Sequence, residues 1–194
     1  MARKVTITKE IILQNALDML IEEGYRSLSI HTLAKRIGCS TQPIAWHFEN
    51  MEGLRKALYE YASEYASNKT DLSGTTGADT FERLGRAYIE SAIKEPNLFK
   101  FLYLGEGPVS KPYSISDLPK GKVNDELIAA ISRETGLTPE ASLRVVNNTV
   151  IYSHGIAAML ATGVFKSSAK QAMNMIKSAS EAFVMKERAS DGKN

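Results

Sequence analysis

Apolar residues recur along this chain at spacings of three and four, the period of a helix with one buried face. Ile12, Leu13, Ala16, Leu17 and Leu20 make the first stripe. Thr8 is placed to cap it, Glu10 sits at the positive end of its dipole, and Gly24 ends it. Ser29 then caps a second helix over residues 30–37, with Leu33, Ala34 and Ile37 inward and Gly38 as its stop. Ser40 is expected to cap a third helix, with Thr41, Gln42 and Pro43 in its first turn and Ile44 and Phe48 inward. Asn50 opens a fourth over residues 51–68, where Leu54, Leu58, Ala62 and Tyr65 share a side.

Residues 70–80 are polar, carry two glycines and read as a connection. Asp79 or Thr80 would cap a helix to residue 94, and Glu95-Pro96 restarts a short one over 97–104. Residues 105–122 hold three prolines and three glycines, the composition of a long loop. Helices follow over 124–135, over 138–162, and from Ser167 or Ser168 to about residue 187. No stretch alternates strictly, so the pattern predicts an all-α chain of about nine helices. It divides into a small head over residues 1–50, a connecting helix over 51–68, and a larger C-terminal domain over 69–194.

Composition narrows the classes. A hydrophobic content of 43% with 24% charged residues is ordinary for a globular protein. A net charge of +2 is too mild to imply nucleic acid, so a DNA-binding surface would have to be a local patch. Cys39 is the single cysteine, which rules out an internal disulfide and points to a reducing cytoplasm; packing is its expected role. Lys9, Glu10, Gln14, Asn15 and Asp18 interrupt any signal-peptide core, and Ser153, His154 and Thr162 break the most apolar stretch below membrane-spanning length. His31, His47 and His154 lack metal-ligand spacing, and no nucleophile triad or phosphate loop is present. Neither a metal, a cofactor nor catalysis is expected.

The chemistry concentrates in the second and third helices. Two short helices joined by a glycine turn, the second with polar groups at its exposed start, make a helix-turn-helix suited to a DNA major groove. Thr41 and Gln42 are the candidate base readers, since glutamine can pair with an adenine edge and the threonine methyl with thymine. Pro43 adds an apolar contact. Ser29, His31 and Ser40, at helix N-termini, suit phosphates, and Trp46 and His47 suit sugar and phosphate. Arg3, Lys4 and Lys9 offer a basic arm. For each, a solvated helix face is the alternative; for Trp46 it is a partly buried ring.

Elsewhere, Ala157, Ala161, Ala169, Ala172, Met173 and Ile176 give the last two helices small or flexible faces, suited to a seam between two copies or to an internal core. Tyr88, Phe101, Leu102, Tyr152, His154 and Met159 combine apolar bulk with polar tips, as small-molecule pockets do, and as bundle cores also do.

The spacing of Ile12, Leu13, Ala16, Leu17, Leu20, Gly24, Tyr25, Ser29, Leu33, Ala34, Gly38, Ser40, His47, Phe48 and Leu54 resembles the N-terminal pattern of the TetR family of transcriptional regulators. The resemblance covers residues 8–58. It implies an all-helical homodimer that reads a palindromic operator in double-stranded DNA, with a C-terminal domain that takes a small effector. Two positions depart from the family: Ala45 and Met51 stand where a tyrosine and a lysine usually hold phosphates, leaving His47, Arg55 and Lys56 as the expected substitutes. The implied function is a one-component repressor released by its effector. The alternative is a helical interaction protein of the same fold acting through a protein partner.

Overall fold

A computed structural model describes residues 7–75, 78–108 and 122–191. The helices are α1 (Lys9–Glu23), α2 (Ile30–Ile37), α3 (Gln42–Phe48), α4 (Met51–Asn68), α5 (Ala78–Lys94), α6 (Pro96–Tyr103), α7 (Lys122–Thr135), α8 (Pro139–Ala161) and α9 (Ala169–Asp191). A short 3-10 turn, Tyr25–Ser27, follows α1. Among the described residues there is no strand. The fold is all-α.

Local signals set several boundaries where the sequence predicts them. The Thr8 hydroxyl accepts the Ile11 N–H, and the Asn50 side chain accepts the Glu52 and Gly53 N–H groups. Other boundaries differ. Thr41, not Ser40, precedes α3, and its side chain caps nothing. Thr41 has helical dihedrals, φ −71° and ψ −15°, rather than the extended ones of a capping residue. Helix α5 begins at Ala78, with Asp79 inside its first turn and the Thr80 hydroxyl bonded to that of Thr75, so neither residue is its cap. Helix α7 begins two residues earlier than expected. Helix α9 runs on to Asp191 because Arg188 reaches back to the Thr135 carbonyl and Glu187 to Arg144. Of the predicted loop over 105–122, residues 109–121 lie outside the described residues, as do Arg3 and Lys4 of the basic arm.

The chain forms two compact units, Met1–Lys69 with Glu95–Ser110, and Thr70–Lys94 with Lys111–Asn194. In the first, Ile12, Leu17, Leu20, Leu33, Ile44, Leu54 and Leu58 are fully buried. Each such side chain contributes on the order of 1.5–3 kcal/mol by leaving water. Leu98, Phe101 and Leu102 of α6 complete this core, and the Asn97 amide donates to the Ile21 carbonyl at 3.1 Å. Phe101 and Leu102, expected in an effector pocket, are therefore core residues of the first unit.

In the second unit α8 and α9 pack along each other and against α5. Ala157, Ala161, Ala172 and Ile176 are buried here within one chain, while Ala169 and Met173 are half-buried. The small side chains let the axes of one chain approach, so these four positions have no surface left for a second copy. The large apolar residues that the same helices leave exposed are Ile151, Tyr152, Met159, Met175 and Met185. Glu187 is buried at 4% exposure, and Arg144 donates to its Oε2 from Nε and Nη2 at 2.9 and 2.7 Å. That guanidinium holds the Glu187 carboxyl below the usual glutamate range.

Candidate nucleic-acid interface

Helix α2 is fixed at both ends. Ser29 Oγ accepts the Thr32 N–H at 3.0 Å while Thr32 Oγ1 accepts the Ser29 N–H at 2.9 Å, a reciprocal box that uses Ser29 internally. At the other end Gly38 turns left-handed, φ 77° and ψ 33°, and its N–H bonds the Ala34 carbonyl. The chain then passes through Cys39–Thr41 into α3.

Ile44 and Phe48 hold α3 in the core, and that sets what it presents outward. Gln42, Ala45 and Trp46 are exposed, and Thr41, Pro43 and His47 are half-buried. Trp46 stands 79% exposed, which removes the reading of it as a core ring. An open cleft of about 990 Å³ brings Lys9, Ser40, Gln42, Pro43, Trp46 and His47 together. Ile7, Thr8, Ile37, Gly38 and Cys39 also line it. Of these Ile7, Thr8 and the turn residues were not expected as part of the surface, although the turn of any helix-turn-helix must border its second helix.

His47 is held rather than free. Its Nε2–H donates to the Ile7 carbonyl at 3.1 Å; a carbonyl only accepts, so the proton sits on Nε2. The Trp46 ring stands edge-on to the His47 ring at 4.6 Å. Lys9 Nζ lies 5.8 Å from the Phe48 ring centre. His31 is exposed on α2 and is not part of the cleft lining.

The cations expected to replace the missing phosphate holders divide. Lys56 is exposed, with Glu52 3.3 Å away. Arg55 turns inward: Nη2 donates to the Glu106 and Gly107 carbonyls at 2.6 Å each, over the Tyr25 ring. It is not available to DNA, because two carbonyls and an aromatic face already surround its charge. Arg36 is likewise engaged, donating to both Glu22 oxygens at 2.8 and 3.0 Å and lowering the pKa of that carboxyl.

Of the expected effector set, Tyr88 and His154 meet in the second unit, with the hydroxyl 2.6 Å from Nδ1. Tyr152 and Met159 are exposed. A shallow cleft of about 350 Å³ along α7 and α8, lined by Asp125, Ile128, Ala129, Pro139, Glu140 and Leu143, includes none of that set. Among the described residues no three His, Cys, Asp or Glu side chains gather to hold a metal ion, and no helix is long and apolar enough to cross a membrane.

Residues 12–58 match the family described as bacterial regulatory proteins, tetR family. The chain is also 26% identical over 99 residues to the uncharacterized HTH-type transcriptional regulator YvkB of Bacillus subtilis (strain 168). That match covers 50% of this chain and 51% of the relative, so the chain spans about half the length of the protein it resembles.

Proposed function

We propose that this chain, whose residues 12–58 match the tetR family of bacterial regulatory proteins, is a DNA-binding regulator of transcription. The observation that carries the reading is the outward edge of α3, where Gln42, Ala45 and Trp46 are exposed above the buried Ile44 and Phe48. A short helix that only filled a core would have no use for a 79% exposed indole beside a free amide. Gln42 and Thr41 read base edges, Pro43 and Trp46 supply apolar contact, and Lys9, His31, Ser40 and His47 lie toward the phosphates, while Ser29 holds the start of α2. The domain over residues 1–50 is the reading head, residues 51–68 connect it, and the second unit, Thr70–Lys94 with Lys111–Asn194, takes the effector.

The protein acts as a repressor in the cytoplasm, not as an enzyme, and a small molecule lowers its hold on a palindromic operator. Such a ligand must bind the DNA-incompetent arrangement more tightly, because only differential affinity moves an equilibrium. Tyr88 and His154, a half-buried hydrogen-bonded pair, are the effector contacts this reading favours. Two copies associate through the face of α8 and α9 that carries Ile151, Met159 and Met175. The test is selection of bound sequences from a random duplex pool by the purified protein. Enrichment of an inverted repeat is expected, and a pool that stays random after several rounds would sink the proposal.

A further inference from the structure

Among the described residues, Glu49 is the one non-glycine with positive φ, at φ 63° and ψ −54°. It lies between α3 and α4. The Asn50 N–H donates to the Phe48 carbonyl at 2.7 Å, closing a three-residue ring around Glu49. That is a γ-turn of the rare, strained hand, which a side chain disfavours. The Glu49 N–H still donates to the Ala45 carbonyl at 2.8 Å, so α3 keeps its last helical bond while the chain folds back sharply.

What sustains the turn lies four residues on. A Cβ built at Gly53 would overlap the Phe48 carbonyl oxygen, and that oxygen cannot swing aside without releasing the Asn50 N–H. Gly53 is also held, because its own N–H donates to Asn50 Oδ1 at 3.0 Å. It occupies the third position of α4, where glycine weakens a helix and a glutamate would close a capping box. The sequence thus forgoes a good local choice at the point where the backbone of α3 rests on α4.

We propose that Gly53 is a positioning residue for DNA recognition. Its missing side chain lets α3 close onto the first turn of α4 through the strained turn at Glu49, and this pose sets which operator α3 selects. The proposal rests on the DNA-binding reading of α3. Gly53 touches no base itself; it acts through the angle at which Gln42 and Trp46 leave the head.

Two single variants and their combination test this by thermal unfolding, by duplex selection, and by the emission of Trp46, the sole tryptophan. Glu49→Gly removes the strain and leaves the turn, so its melting temperature should rise by about 2–4 °C with the selected sequence unchanged. Gly53→Ala carries the better helix former, yet should melt lower, shift the Trp46 emission, and bind the wild-type duplex at least about tenfold more weakly. Its hold on random duplex should be unaltered, because phosphate contacts do not depend on pose to the same degree. In the double variant the flexible residue 49 should return part of the lost affinity. A Gly53→Ala protein as stable as wild type with the same selected sequence would overturn the proposal. So would a Glu49→Gly protein that melts lower or selects a different sequence, an arm that decides even if Gly53→Ala does not fold. Should wild type bind no duplex, the DNA reading and the positioning role both fall, while the melting temperatures still report whether the close approach exists.

Discussion

Gln42 is the side chain on which sequence reading should depend most directly. It is exposed in the first turn of α3, and its amide offers both a donor and an acceptor in the plane an adenine edge requires. Gln42→Ala is expected to cost about 1–3 kcal/mol on the selected duplex and to relax preference at one base position per half-site. Equal weakening on all duplexes, measured by titration at fixed salt, would mark Gln42 as a phosphate contact instead. Neighbouring residues show where the sequence could and could not be read. The caps at Thr8, Ser29 and Asn50 were legible because a cap bonds groups two or three residues away. Arg55 was not: its partners Glu106 and Gly107 lie some fifty positions on, and nothing near Arg55 announces that its charge turns inward.

The pairing of α8 and α9 carries two further expectations. Because Ala172 is buried within the chain, Ala172→Arg should unfold the protein by placing an unpaired charge in the core, seen as loss of helical circular dichroism. Ile151→Arg, on the exposed side of α8, should leave the fold intact and yield monomers by light scattering. A folded, dimeric Ile151→Arg protein would move the contact between copies elsewhere. The small residues were legible as a close helix–helix contact but not as an internal one, since alanines allow two axes to approach whether or not the axes share a chain. The same pair carries an acid-sensitive bond. Arg144 lowers the pKa of Glu187, so on acidification the unfolded chain takes up the proton first. The stabilisation is therefore full above the ordinary value of 4.5 and disappears as pH falls through the lower folded value. The melting temperature of Glu187→Gln should consequently depend less on pH between about 3 and 6 than that of wild type.

The first unit is built from two separate lengths of chain, and this was the least legible part of the fold. Leu98, Phe101 and Leu102 give α6 the same apolar stripe whichever unit it joins, so periodicity could not assign it. The consequence is open to measurement in a fragment ending at Lys69. It lacks three buried side chains, each of the kind whose truncation costs about 2–5 kcal/mol, against a typical total stability of roughly 5–15 kcal/mol. The fragment should melt without a cooperative transition; a sharp transition near that of the full chain would show that α6 is dispensable. During synthesis the same feature becomes a matter of timing. When Lys69 is added, Tyr103 at the end of α6 is still roughly 35 residues, or about 2–7 seconds of translation, away. The head therefore cannot close as it emerges from the ribosome. For that interval its apolar groove is open to the chaperones of the cell, and ribosome pausing between α4 and α6 would prolong that exposure.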